Sequence, residues 1–186
     1  MLAFDLETTG LDPCLDVVTC ASAYDPEVGI ERVFFFNARG DPEQADDTPE
    51  SFFSLLDAAD RLCAFNGARF DIPFLQVRYG IPDARVGRWM LKLYDLYEAS
   101  RLAFDSGFSL NALLSANGLK SKTGTGGDAV GLARDGDWQT LADYCLQDAI
   151  KTHAVSSRDI VLMPVKRIGT VARARSQAAP AFTAAS

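Results

Sequence analysis

Phe4-Asp5-Leu6-Glu7-Thr8-Thr9-Gly10 follows a short apolar opening, Met1 to Phe4, and ends at a glycine. A run of this kind reads as a buried strand closing in a turn at Gly10. Side chains on a strand alternate between faces, so Asp5 and Glu7 point one way and Leu6 the other. Two carboxylates side by side on a buried strand repel each other and are costly to strip of water. A cation relieves both costs, and Mg²⁺ or Mn²⁺ prefers such oxygen ligands. The plain alternative is a strand end with two solvated acids, because short motifs match by chance. Further ligands elsewhere in the chain have to decide between the two.

The 186 residues fit one domain with a sizeable core, and 48% hydrophobic with 23% charged residues is ordinary for a globular protein. A formal net charge of -7 argues against a generally basic nucleic-acid-binding surface. It leaves room for a nucleic-acid enzyme whose acids are neutralised by bound metal. Cys14, Cys20, Cys63 and Cys145 form no C-x-x-C pair, and His153 is the only histidine, so a zinc site is disfavoured. Irregular cysteine spacing and the absence of a signal peptide lead us to expect reduced thiols and a cytoplasmic setting, nuclear if eukaryotic, and not a secreted one. Cys63 and Cys145 lie in apolar segments and are expected in the core. No apolar stretch is long enough to span a membrane, so no membrane partner is expected.

Val17 to Tyr24 and Arg32 to Asn37 read as two more strands, making an antiparallel meander with the first. Thr48-Pro49-Glu50 starts a helix to about Ala59, with Thr48 as its cap and Phe52, Phe53, Leu55 and Leu56 inward. Leu62 to Asn66 is a short strand ended by Asn66-Gly67. Asp71 sits where a helix N-cap belongs, which alone suffices to explain it, and Gly80 ends that helix. The aromatic, apolar stretch from Met90 to Tyr97 fits no single element. Ser109 caps a helix from Leu110 to Asn117. Lys120 to Gly127 is a basic, glycine-rich loop without the order of a Walker phosphate loop, open equally to a surface role and to a phosphate-backbone contact. Asp137 caps a long helix expected to reach Leu162, with Pro164 marking its end. This places a domain at 1–164 and a basic, Ala/Ser-rich, disordered tail at 165–186.

Tyr144 and Asp148 are four residues apart on that last helix and share a face. The chain thus offers Asp5 and Glu7 on a strand, Asp71 at a helix start and Asp148 on a late helix. Four carboxylates from three elements suit two divalent cations, the arrangement used for phosphoryl transfer at nucleic acids.

Phe4 to Gly10 resembles the first motif of the DEDD superfamily of 3′–5′ exonucleases. Asn66-Gly67-Ala68-Arg69-Phe70-Asp71 resembles the second. Tyr144-Cys145-Leu146-Gln147-Asp148 is similar to the third in its tyrosine form, Y-x-x-x-D. Ser109 to Leu113, Gly118-Leu119, Lys122-Thr123-Gly124 and Gly127 to Val130 further resemble predicted exonucleases related to the proofreading domain of B-family DNA polymerases. Three motifs in order are far more specific than one, because chance matches multiply.

The resemblance implies an α/β, ribonuclease H-like fold: a mixed five-stranded sheet, three strands antiparallel and two parallel, with helices on both faces. It implies that Asp5, Glu7, Asp71 and Asp148 hold two divalent ions, Mg²⁺ or Mn²⁺, and that Tyr144 orients the attacking water. Glu7 and Thr8 would face the terminal nucleotide, Asn66 and Phe70 would support the substrate, Leu11 would act as a wedge against the terminal base, and Lys122 would meet the backbone. Phe70 is equally a core candidate. The implied activity is a metal-dependent 3′–5′ exonuclease on single-stranded or frayed ends, DNA favoured over RNA, releasing nucleoside 5′-monophosphates. Its partners would be nucleic-acid 3′ ends and a separate polymerase or replication or repair factor. A ribonuclease H-type endonuclease and a binding module without turnover are the competing readings. His153 stands five residues after Asp148, about 140° round the helix, so the histidine form of the third motif is excluded.

Overall fold

The computed structural model describes residues 1–36, 47–104, 107–121, 126–164 and 171–175. The first strand, β1 (Leu2–Thr8), is central. It pairs antiparallel with β2 (Val18–Asp25), and β2 pairs antiparallel with β3 (Ile30–Phe35). On its other side β1 runs parallel to β4 (Leu62–Ala64), which runs parallel to β5 (Leu93–Asp95). The order β3-β2-β1-β4-β5 is the mixed sheet the resemblance implied.

The alternation along β1 divides the molecule. Leu2, Phe4 and Leu6 enter a large core with Phe52, Phe53 and Leu56 of α1 (Pro49–Ala58), Ile72, Phe74 and Leu75 of α2 (Asp71–Tyr79) and Trp89 of α3 (Asp83–Lys92). Ala3 instead packs with Cys63 and with Ala149 of α7 (Trp138–Ser156). Helices therefore cover both faces, and the strand's odd-numbered side chains meet α7. At roughly 1.5–3 kcal/mol for each large apolar side chain buried, the aromatic core is the main support of the sheet.

α1 begins at Pro49 as expected, but Thr48 does not cap it through its side chain. The Thr48 hydroxyl instead bonds the Ser51 hydroxyl at 2.8 Å. Gly80 ends α2 with φ 63°, a left-handed turn that glycine adopts at no steric cost. The stretch from Met90 to Tyr97 divides into the end of α3, β5 and the start of α4 (Leu96–Phe104). Ser109 caps α5 (Leu110–Ala116), its hydroxyl accepting from the Ala112 amide at 3.2 Å. α6 (Gly126–Asp135) was not anticipated as a helix.

The long last helix is shorter than expected. α7 stops at Ser156, and Ile160–Pro164 is a strand, β6, paired antiparallel with β7 (Val171–Arg175). Asn117 explains the switch. Its side chain accepts from the Leu162 amide at 2.9 Å and donates to the Leu162 carbonyl at 2.8 Å, acting as one more strand partner. Val171 to Arg175, expected in a disordered tail, forms that second strand. The rest of 165–186 lies outside the described residues. Among the described residues, no helix is long and apolar enough to cross a membrane.

Candidate active site

Asp5 and Glu7 stand near the carboxyl end of β1. Asp5 faces Ser22 across the β2 ladder, and Glu7 faces Cys20. The register then shifts, so that Thr8 meets Val18 and Thr19 is the extra residue. A bulge of this kind sharpens the local twist and re-aims side chains. Beyond it, the Thr8 hydroxyl donates to the Gly10 carbonyl at 2.6 Å and tightens the turn. A Cβ on Gly10 would come within 2.4 Å of the Asp16 carboxylate, which would have to shift to admit it. Asp16 in turn accepts from the Thr9 hydroxyl and the Asp12 amide, which holds the loop in shape.

α7 is fastened to the sheet at the level of these acids. The Ser22 hydroxyl donates to the Cys145 carbonyl at 2.9 Å, and the Cys145 thiol donates to the Asp5 carbonyl at 3.6 Å. Cys145 is fully buried, and burial, followed by the neighbouring Cys20 thiol, pushes its own thiol well above the ordinary range. It serves as packing and as a weak donor rather than a reactive group. The other three cysteines are also free, with Cys20 and Cys63 buried and Cys14 exposed.

With α7 in this register, Asp148 meets the strand acids. One carboxylate oxygen each from Asp5, Glu7 and Asp148 lie within 4.8 Å of one another. Glu7 and Asp148 are buried and Asp5 is half-buried. Hard oxygen donors gathered this closely match the chemistry of a divalent cation such as Mg²⁺ or Mn²⁺. Tyr144, one turn before Asp148, lines the same pocket of about 390 Å³.

Asp71 departs from its expected place in two ways. It is not a cap: Phe70 occupies that position, and Asp71 is the first residue of α2. It also stands outside the group of three acids. Its buried carboxylate lies near its own amide and that of Leu6 on β1, both of which favour the charged form. Burial, reinforced by the charge of Asp95, pushes its carboxyl up to about 7. In the turn just before α2, a Cβ on Gly67 would lie 2.6 Å from the Ala64 side chain, so the close packing of that turn on β4 needs glycine.

The pocket's apolar wall holds Leu11 and Phe70, both named from the sequence, and Phe65, Leu110 and Val130, which were not. Leu11 is 83% exposed at its mouth. Phe70 is half-buried against Phe74, as the core reading expects, and also lines the cavity. Thr8 lines the pocket, whereas Asn66 shapes the turn behind it with φ 68°. Lys122 lies outside the described residues. A second cavity of about 640 Å³, between α6 and α7, shares Gly127, Tyr144 and Asp148 with the first. A larger one, about 920 Å³, sits at the opposite end of β1 around Leu2 and Asp25 and is lined by none of the candidate site residues. His153 packs edge-on against Tyr24 at 5.3 Å, as a packing residue.

Asp95, at the end of β5, was missed altogether. Its Oδ1 accepts from the amides of Asn66 at 3.0 Å, Tyr97 at 2.8 Å and Glu98 at 3.3 Å, and its Oδ2 accepts from Ala68 at 2.8 Å. Asp-Leu-Tyr-Glu has the look of a helix start, the one signal in the sequence that would have found the Tyr97 and Glu98 bonds.

No curated protein significantly matches the chain. Among solved structures, it is similar to the family B DNA polymerase from the hyperthermophilic archaeon Pyrobaculum calidifontis. The TM-score is 0.64 at 20% identity over 83% of this chain and 24% of that one, so the chain spans about a quarter of the polymerase. A structure described as the apo form of a nuclease matches with TM-score 0.52 at 21% identity, over 82% of this chain and 68% of that one. A structure of exonuclease I matches with TM-score 0.51 at 20% identity, over 83% and 39%. At these identities the likeness is one of fold. The family model RNase_H_2, of the RNase_H superfamily, matches residues 2–158, which takes in the whole five-stranded sheet and α7, and the chain therefore belongs to the RNase_H superfamily.

Proposed function

We propose that this chain is a metal-dependent 3′–5′ exonuclease, acting on single-stranded or frayed nucleic acid, with DNA favoured over RNA. The observation that carries the reading is the meeting of Asp5, Glu7 and Asp148 within 4.8 Å, with Tyr144 one turn away in the same pocket. Membership of the RNase_H superfamily and the fold shared with an exonuclease and a DNA polymerase support it.

Asp5, Glu7 and Asp148 would hold divalent metal, with Asp71 completing the set for two ions. Bound Mg²⁺ or Mn²⁺ would supply charge for the pentacoordinate phosphate and lower the cost of ionising water. The protein's own groups do the placing. Tyr144 offers its hydroxyl to the attacking water. The apolar wall of Leu11, Phe65, Phe70 and Leu110 receives the terminal base, and Glu7 and Thr8 meet its sugar. Asn66 supports the strand through the turn it forms, and Lys122 meets the phosphate backbone. Water attacks the terminal phosphodiester, the bond from phosphorus to the penultimate 3′ oxygen breaks, and that oxygen takes up a proton. The products are a nucleoside 5′-monophosphate and a strand one residue shorter. A separate polymerase or replication or repair factor would supply such ends.

Digestion of a 5′-labelled oligonucleotide, as DNA and as RNA, with Mn²⁺ or with EDTA, tests the reading. The expected result is a metal-dependent ladder shortening from the 3′ end, stronger with DNA. Internal cuts would point to an endonuclease, and no cleavage to a binding module.

A further inference from the structure

We propose that Asp95 is a positioning residue for Asp71, clamping the Asn66–Phe70 turn so that the Asp71 carboxylate is held against β1. The proposal rests on the reading of Asp71 as part of the metal site.

A helix cap needs only one acceptor oxygen, and serine or asparagine would serve α4 as well. Asp95 does more. It is 93% buried, with a relative exposure of 7%, and its two oxygens gather four amides from two separate elements. Tyr97 and Glu98 belong to the first turn of α4. Asn66 and Ala68 belong to the turn that precedes α2, 29 and 27 residues upstream. Only a carboxylate has the acceptor capacity to satisfy all four.

The clamped turn is not one the chain holds at no cost. Asn66 sits in the left-handed region at φ 68°, where a residue with a Cβ needs support. Gly67 stands in tight contact with Ala64. The turn then passes directly into α2, with the amides of Phe70 and Ile72 bonding back to Asn66 and Gly67. Asp71, the first residue of α2, hangs from this turn and inherits its position. Asp95 thus connects the far edge of the sheet to the acid that opens α2, without lining the pocket itself.

A double-mutant cycle on Mn²⁺ binding, read by electron paramagnetic resonance on the full chain, tests this. Asp71→Asn is expected to weaken Mn²⁺ about tenfold, in the range seen for groups that orient metal ligands. Asp95→Ser keeps a cap for α4 and loses the reach to the turn, and it is expected to weaken Mn²⁺ about threefold or more. The double variant is expected to bind no more weakly than Asp71→Asn alone, because the clamp acts through Asp71. A general loosening of the fold would add to the loss of Asp71, so this equality separates positioning from a merely structural role. If Asp95→Ser does not fold, Asp95→Asn, which keeps one acceptor oxygen, takes its place in the cycle. Wild-type Mn²⁺ affinity in the Asp95 variant overturns the proposal, as does a double variant showing the product of both losses. Wild-type affinity in Asp71→Asn overturns instead the metal-site reading beneath it.

Discussion

Two groups of acids in this molecule stand among different neighbours. On the outer surface of α1 and α3, Glu50 and Asp57 share Arg85. Its guanidinium donates to both Glu50 oxygens at 2.6 and 2.9 Å and lies 2.6 Å from Asp57 Oδ2. The same guanidinium lies 5.4 Å from the rings of Phe53 and Trp89, and Trp89 donates to Asp57 at 2.7 Å. Burial would raise Asp57, but the hydrogen bonds from Arg85 and Trp89 outweigh it, and both acids are held below the usual carboxylate range. On the other face of the sheet, Asp5, Glu7 and Asp148 are drawn towards one another, and Asp71 nearby is pushed up rather than down. The first group carries its own counter-ion, so it supports the fold. The second, on the function proposed above, would serve a divalent cation. Proximity of acids alone does not mark a site; the identity of the neighbours bears on it as well.

The sharpest way to break this contrast is to remove one acid from each group. Asp5→Ala or Asp148→Ala is expected to lower nuclease activity by about a thousandfold or more, a loss of at least ~4 kcal/mol in the barrier. In metal-free protein the same change is expected to leave the melting temperature unchanged or slightly higher, since repulsion is relieved. Full activity in Asp5→Ala would refute the assignment.

Acid titration comes next. Asp71 holds its proton more tightly folded, at about 7, than unfolded, near 3.8. Its contribution to stability is therefore complete below about pH 3.8 and is lost as pH rises through about 7. Between those values metal-free protein is expected to lose up to ~1.4 kcal/mol per pH unit from this group. Urea melts at several pH values check it, and Asp71→Asn is expected to flatten the profile.

Metal addition sharpens the contrast further. Mn²⁺ at a hundred times its Kd is expected to stabilise the fold by about 2.7 kcal/mol, or about 5–10 °C for a domain of this size. Arg85→Ala is expected to cost about 1–2 kcal/mol, most of it from lost packing and a half-exposed ion pair, while leaving the Mn²⁺ shift and the activity intact. A diminished shift in that variant would mean the two groups are coupled. The smallest effect is expected from Tyr144→Phe, a drop in rate of about tenfold to a hundredfold with an unchanged melting temperature.

These contrasts also explain which parts of the molecule were legible in the sequence. Asp5, Glu7, Tyr144 and Asp148 could be read because periodicity fixes their faces: two residues apart on a strand, four on a helix. The order of the central sheet followed from the family resemblance and agrees with the pairing found. Asp71 was misread locally as a cap, since a cap and a buried first residue of a helix have the same sequence. Asp95 was out of reach because its decisive partners are backbone amides 27 and 29 residues away, which no side-chain pattern records. The end of α7 was misplaced for the same kind of reason, because Asn117, far upstream, turns Leu162 into strand.

The bond from Cys145 to the Asp5 carbonyl joins residues 140 positions apart. The site is therefore among the last things this chain can make. While the polypeptide is being synthesised, Asp5 and Glu7 emerge first and remain separated from Asp148 until α7 has left the ribosome and docked. Closing so long a loop is entropically slow, and the packing of α7 offsets it only when the helix is complete. A chain without α7 has no acid trio, so the activity proposed above would await the docking of that helix.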